Sequence, residues 1–99
     1  MSLSNFSLKG KKALVVGARR NMGKAFALGL AEAGADVAIT DINIDSGQLH
    51  KVSKEIEAMG RKSLALKADI SCGDEVKKLV KTVVEEFGTI DILMNVAVM

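Results

Sequence analysis

Several features that mark particular classes of protein are missing from this chain of 99 residues. Its one cysteine, Cys72, excludes an internal disulfide and is typical of a reducing compartment, so we expect a cytoplasmic protein. No run of about 18 apolar residues is available to span a bilayer, and residues 1–8 lack the apolar core of a signal peptide. The formal net charge of +2 is too small to indicate a nucleic-acid or membrane partner.

Aromatic residues are also scarce, with three phenylalanines and neither tyrosine nor tryptophan. Hydrophobic residues nevertheless make up 48% of the chain, which is enough to build a core. A core of Val, Leu, Ile and Ala is typical of a parallel sheet that is buried on both faces. The length allows one domain at most, and we expect residues 1–8 to form a loose segment ahead of it.

Strand and helix patterns alternate along the chain. Short apolar stretches predict strands over residues 12–17, 37–40, 63–68 and 90–98. Helical spacing predicts helices over residues 21–33 and 45–59, and a third from a cap at Ser71 to Phe87. With right-handed crossovers, this alternation predicts an α/β fold with a Rossmann-type parallel sheet of strand order 3-2-1-4. Two of its three helices are expected on one face and the third on the other.

The third helix and the last strand carry more apolar residues than this arrangement needs. The helix has a wide apolar stripe, and the chain stops at an apolar strand where a covering helix should begin. The stripe comprises Val76, Leu79, Val80, Val83, Val84 and Phe87. We therefore expect a fold truncated after its fourth strand and completed by a missing segment or a partner chain. The corresponding prediction is a homo-oligomer formed through the edge of strand 4 or through the third helix.

The most informative stretch joins the first strand to the first helix. Gly17 ends the apolar run, and after a short turn Gly23 opens a helix of small residues. Glycine allows the tight exit and the close packing, and the helix N-terminus offers unpaired N–H groups to an anion. Asp41 ends the next strand 18 residues after Gly23. That offset is near the roughly 20 residues that precede the ribose-binding acid in dinucleotide-binding folds.

With these elements placed, the chain resembles the N-terminal part of the short-chain dehydrogenase/reductase family, most of all its 3-oxoacyl-acyl-carrier-protein reductase-like members. Asn21 stands where the family has the middle glycine of its turn, and asparagine tolerates the left-handed conformation. Four segments in family order carry the resemblance. They are the turn at residues 16–23, the strand end at 40–42, the Asp-Ile pair within 68–70, and residues 91–98, which are similar to an Asp-x-Leu-x-Asn-Asn-Ala-Gly motif.

The resemblance implies a site for a nicotinamide dinucleotide. Asp41 would accept hydrogen bonds from both ribose hydroxyls, which favours NAD over NADP, whereas Arg19 and Arg20 could hold a 2′-phosphate. Asp69 resembles the acid that meets the adenine amino group; an ordinary turn residue is the alternative. The cofactor-binding residues so assigned are Gly17, Arg19, Arg20, Asn21, Met22, Gly23, Asp41, Ile42, Asp69, Ile70, Asn95 and Ala97.

The function that the resemblance implies is an NAD(P)-dependent oxidoreductase acting on alcohols, ketones or ketoacyl thioesters. The family's serine and its Tyr-x-x-x-Lys pair lie beyond the fourth strand, and this chain contains no tyrosine. We therefore assign no catalytic residue and no metal site, and we expect no turnover from these residues alone, because the proton donor is missing. The alternative is a non-catalytic dinucleotide-binding or assembly module that keeps the sheet without the chemistry.

Overall fold

The computed structural model describes residues 7–17, 21–42 and 47–96. Within these residues strands and helices alternate as the sequence predicts. In chain order they are β1 Lys12–Val16, α1 Asn21–Glu32, β2 Asp36–Asp41, α2 Gln48–Ala58, β3 Ser63–Lys67, α3 Gly73–Phe87 and β4 Ile92–Asn95. Most of the expected N-terminal segment (residues 1–6) and the end of the last predicted strand (residues 97 and 98) lie outside the described residues.

The four described strands form one parallel sheet in the order β3-β2-β1-β4, which confirms the predicted topology. In the middle of this sheet, Ala13 of β1 lies between Val37 of β2 and Ile92 of β4. The chain moves outward from β1 to β2 to β3 and then returns past β1 to β4. The direction of travel therefore reverses between β1 and β4, and open parallel sheets bind ligands at the carboxyl ends of the strands at such a point.

Side chains alternate along each strand, so the sheet contributes to two cores, one on each face. Helices α1 and α2 cover the first core, which comprises Ala13, Val15, Ala27, Ala31, Ala35, Val37, Ile39, Leu49, Val52 and Ile56. Helix α3 covers the second, which comprises Leu14, Val16, Ala38, Ala68, Leu79, Val83 and Phe87. Among the described elements, the predicted division into two helices on one face and one on the other is confirmed.

Strand lengths differ from the sequence prediction for reasons of pairing. Strand β2 runs one residue further at each end because it pairs on both sides, from Lys12 opposite Asp36 to Asp41 opposite Lys67. Strand β4 begins at Ile92, two residues later than predicted, and within the described residues its pairing with β1 ends at Asn95. The predicted start of the second helix, at residue 45, lies outside the described residues, which place the beginning of α2 at Gln48.

The prediction that Ser71 caps the third helix is wrong. Cys72 occupies the N-cap position of α3, and its side chain makes no capping hydrogen bond. The hydroxyl of Ser71 donates instead to Oδ1 of Asp69, at 2.6 Å. An acceptor two residues away in the chain competes with the helix end for this hydroxyl, because Asp and Ser favour such local turns.

An ion pair between Lys12 and Asp36 ties β1 to β2 at the amino ends of the strands. Burial by itself would raise the pKa of Asp36. The hydrogen bond from Lys12 Nζ, the bond from the Lys62 N–H at 2.9 Å and the charges of both lysines outweigh burial and lower that pKa. Because the pKa is lowered, the ionised carboxylate stabilises the fold at every pH above the ordinary pKa of aspartate. This contribution disappears as the pH falls through the lowered pKa of the folded state.

Helix α3 leaves part of its face of the sheet uncovered. Leu93 of β4, which pairs with Leu14 of the α3-side core, is 67% exposed. Val80 and Val84 on α3 are 41% and 40% exposed. The apolar stripe of α3 is therefore wider than its contact with the sheet. None of the described helices is long and apolar enough to cross a membrane.

Replacing Thr40 with valine is expected to raise the free energy of unfolding by about 1–2 kcal/mol. Thr40 is fully buried in β2 between Val16 and Leu66, and among the described residues its Oγ1 finds no hydrogen-bond partner. Urea denaturation would measure the change. Thr82→Val is the control, since the Thr82 hydroxyl bonds to the Lys78 carbonyl of its own helix. A less stable Thr40→Val protein would contradict the prediction.

Candidate functional site

The carboxyl ends of the strands bring together the segments that the sequence analysis singled out. At this edge, main-chain hydrogen bonds extend the sheet beyond its last paired residues. The Gly17 N–H donates to the Thr40 carbonyl at 2.8 Å, the Ala68 N–H to the Asp41 carbonyl at 3.1 Å, and the Val96 N–H to the Val16 carbonyl at 2.9 Å. The ends of all four described strands are therefore held in one row, in the order β3, β2, β1, β4.

Gly17 and the start of α1 lie near the middle of this row. Gly17 has a φ of 84°, a left-handed conformation that side chains disfavour, so glycine is required for the exit from β1. Helix α1 begins at Asn21, Gly23 is buried within its first turn, and Met22 is exposed. The N-terminus of α1, with its unpaired N–H groups and partial positive charge, therefore lies at the edge of the sheet where ligands bind in such folds.

Asp41 and Ile42 lie at the end of β2, beside this turn. Asp41 is partly exposed, and its partner in the register with β3 is Lys67, which is exposed. Ile42 follows with 58% of its surface exposed. The end of β2 therefore presents a carboxylate and an uncovered apolar side chain together.

Asp69 and Ile70 lie just after β3, on the far side of Asp41 from the turn. Oδ1 of Asp69 accepts two hydrogen bonds from Ser71, one from the N–H at 2.9 Å and one from the hydroxyl at 2.6 Å. The Asp69 N–H donates to Oε1 of Glu75 at 3.0 Å. Oδ2 of Asp69 makes no hydrogen bond to any described residue. The hydroxyl bond first, and then the main-chain bond, lower the pKa of Asp69, against a small opposing effect of burial.

On the other side of the turn, Asn95 ends β4 opposite Val16 and is exposed. Eight predicted residues thus lie along one edge of the sheet, namely Gly17, Met22, Gly23, Asp41, Ile42, Asp69, Ile70 and Asn95. Asn21 begins the helix at the same edge. The predicted residues Arg19, Arg20 and Ala97 lie outside the described residues.

Ser71 and Glu75 are contacts of Asp69 that the sequence analysis did not assign to the site. The signal for Ser71 was present, because an Asp two residues before a Ser commonly accepts the main-chain N–H of that second residue. Glu75 gives no comparable signal, since its contact with the Asp69 N–H depends on where α3 begins.

The sequence profile of the family described as short chain dehydrogenase matches residues 11–99, and the chain belongs to this family. The match includes every strand and helix of the structure. The resemblance noted from the four motif segments is therefore confirmed.

Individual relatives agree with this assignment. The chain is 44% identical over 85 residues to the 3-oxoacyl-acyl-carrier-protein reductase of Staphylococcus epidermidis. The aligned residues cover 86% of this chain and 34% of that enzyme. A short chain dehydrogenase from Burkholderia cenocepacia in complex with NADP is 44% identical with a TM-score of 0.82, covering 87% of this chain and 35% of that one. An NAD+-bound xylitol dehydrogenase is 36% identical with a TM-score of 0.80, and the match covers 86% of this chain and 32% of that enzyme. The chain thus spans about a third of the length of these relatives.

Proposed function

We propose that the chain binds a nicotinamide adenine dinucleotide at the carboxyl edge of its sheet, as the cofactor-binding part of an oxidoreductase. One observation carries the proposal: Gly17, the N-terminus of α1 and the two aspartates Asp41 and Asp69 lie at the same edge of the sheet. The left-handed Gly17 and the buried Gly23 suit a main chain that approaches a pyrophosphate closely. When bound, the cofactor supplies the hydride chemistry, while the residues of this chain hold and orient it.

The roles of the individual residues follow from their positions along the edge. The turn from Gly17 to Gly23, with Arg19, Arg20, Asn21 and Met22, would hold the pyrophosphate. Asp41 would accept the ribose hydroxyls, and the exposed Ile42 and partly exposed Ile70 would contact the adenine ring. Asp69 would accept the adenine amino group, and Asn95 with Ala97 would contact the cofactor beyond the turn. For the whole enzyme we propose an alcohol, ketone or ketoacyl substrate. The similarity to a 3-oxoacyl-acyl-carrier-protein reductase and to a xylitol dehydrogenase supports this range of substrates.

We expect the wild-type chain to bind NAD more tightly than NADP, because the Asp41 carboxylate accepts two ribose hydroxyls and repels a 2′-phosphate. Asp41→Asn is expected to weaken NAD binding about tenfold and to abolish most of the preference, which is the usual size for losing charge-assisted hydrogen bonds. Isothermal titration calorimetry with both cofactors measures this. Relatives bound to NADP and to NAD+ are both known, so the measurement decides between real alternatives.

The matched control for this experiment is Glu86→Gln, which removes one exposed carboxylate near the C-terminal end of α3, away from the strand ends. It should leave both affinities unchanged. Equal affinity of the wild-type chain for NAD and NADP would refute the role assigned to Asp41. Absence of binding to either cofactor would refute the proposed function as a whole.

A homo-oligomer that covers Leu93, Val80 and Val84 is the second part of the proposal. These side chains are apolar and exposed, β4 is the last strand in the order of the described sheet, and each 100 Å² of apolar surface that is buried contributes about 2.5 kcal/mol before the cost of association. Sedimentation velocity at micromolar concentration should report more than one chain per particle, and Val84→Glu should shift it towards monomer. Met59→Glu, at an exposed apolar residue after α2, is the control. A folded wild-type monomer would exclude this oligomer.

A further inference from the structure

The carboxyl group of Asp69 is held in an asymmetric way. Both hydrogen bonds from Ser71 go to Oδ1, at 2.9 Å from the N–H and 2.6 Å from the hydroxyl. Oδ2 bonds to no described residue, and Asp69 is partly exposed. A carboxylate fixed through one oxygen leaves its other oxygen in a set direction as a hydrogen-bond acceptor. This arrangement differs from a solvated aspartate, whose side chain rotates freely.

The main chain of Asp69 is held as well. Its N–H donates to Oε1 of Glu75 in the first turn of α3, and its carbonyl accepts the Cys72 N–H at 3.0 Å. With the main chain tied to the helix and Oδ1 tied to Ser71, both ends of the side chain are restrained. Preorganised acceptors bind donors more tightly because less conformational freedom is lost on binding.

We infer that Ser71 is a positioning residue that aims Oδ2 of Asp69 at the exocyclic amino group of the purine and so makes the site select adenine over hypoxanthine. The inference rests on the proposed function, since it assumes that the adenine end of the dinucleotide lies at the ends of β2 and β3. Its new content is the hydroxyl of Ser71. Without that hydroxyl, the carboxylate keeps only the main-chain N–H bond and can turn away from the base.

The two purines make a sharp probe because they differ only at carbon 6 and at nitrogen 1, which accepts a hydrogen bond in adenine and carries an N–H in hypoxanthine. Adenine carries an amino donor at carbon 6, whereas hypoxanthine carries an oxygen there, which an ionised carboxylate repels. The neighbouring side chains Ile42 and Ile70 are apolar and cannot distinguish the two rings by hydrogen bonding. Because nitrogen 1 also differs, the part of the discrimination that Ser71→Ala removes, and not the whole of it, reports on the orientation of Asp69.

The test compares NAD with nicotinamide hypoxanthine dinucleotide, using calorimetry on the 99-residue chain. We expect the wild-type chain to bind NAD about tenfold more tightly than the analogue, because one hydrogen bond to a charged acceptor contributes about that much to affinity. Ser71→Ala should reduce this ratio to about threefold or less, while Ser71→Thr, which retains the hydroxyl, should restore it. Thr82→Ala, which removes a hydroxyl from the exposed side of α3, should leave the ratio unchanged.

A pH series separates positioning from a general loss of structure. The preference for NAD requires an ionised Asp69, so it should disappear on acidification around the pKa of this group. The two bonds from Ser71 hold that pKa below its ordinary value, and loss of the hydroxyl lets it rise. The pH at which half of the NAD preference is lost should therefore be higher in Ser71→Ala than in wild type. In Ser71→Thr this pH should return to the wild-type value.

The possible failures are distinguishable. A wild-type chain that binds both dinucleotides equally would refute the role of Asp69 and, with it, this part of the proposed function. A preference that persists unchanged in Ser71→Ala would overturn the role of Ser71 and leave the proposed function intact. If Ser71→Ala does not fold, carbon NMR of the Asp69 carboxyl in wild type decides the question. A pKa at or above the ordinary value would overturn the inference, and a lowered pKa would support it.

Discussion

Replacing Gly34 with alanine is expected to destabilise the fold by roughly 3 kcal/mol, a large fraction of the total stability of a small domain. Gly34 turns the chain from α1 into β2 with a φ of 115°, a conformation that L side chains rarely adopt. A Cβ built there would lie 2.9 Å from the main-chain nitrogen of Lys9. The segment that would have to move is itself fixed, since the Leu8 N–H donates to the Ala33 carbonyl at 2.8 Å. Chemical denaturation with circular dichroism measures the loss.

Gly10→Ala is the matched control for this substitution. Gly10 also has a positive φ, of 82°, but no atom lies within 4 Å of its added Cβ. Its cost should therefore be the conformational part alone, about 1 kcal/mol. The difference between the two variants isolates the close approach of Lys9 to the α1–β2 turn. If the two substitutions cost the same, the N-terminal segment does not pack on this turn as described.

Truncating Ile39 to alanine should lower the free energy of unfolding by about 3–4 kcal/mol, the range measured when such a side chain is removed from a packed core. Ile39 is fully buried in the centre of β2, between Val15 of β1 and Ala65 of β3, on the face covered by α1 and α2. Its neighbours there include several alanines, which are too short to fill the cavity. The change should appear as a lower midpoint in urea without a change in slope.

Ile42→Ala provides the control, since it deletes the same atoms three residues later in the chain. Ile42 is 58% exposed, so its truncation should change stability by no more than about 0.5 kcal/mol in the absence of a ligand. The same variant should weaken binding of the dinucleotide if the side chain contacts the adenine ring. A large loss of stability in Ile42→Ala would mean that the end of β2 is covered in solution and is not an open part of the site.

The motifs and the strand order could be predicted from the sequence because they depend on local patterns and on the handedness of crossovers. Four apolar stretches separated by helical patterns allow few topologies, and the structure has the predicted order. The positions of Gly17, Asp41 and Asp69 at or just after the ends of their strands placed them at one edge for the same reason, because parallel strands end on the same side. Family membership followed from those segments and is confirmed by the match over residues 11–99.

Other features depended on contacts between parts that are distant in sequence, and no local pattern reports them. The contact between Glu75 and the Asp69 N–H joins the start of α3 to the end of β3, and the sequence gives no signal for it. The start of β4 depended on its pairing with β1, which begins where Ile92 lies opposite Ala13. Leu93 is exposed because α3, the one described helix on that face of the sheet, does not cover it. The sequence by itself thus determined the topology and the edge at which the candidate site residues lie, since periodicity and chain direction are local. Only the tertiary structure decided that Oδ1 of Asp69 accepts both hydrogen bonds from Ser71, because that depends on hydrogen-bond geometry in three dimensions.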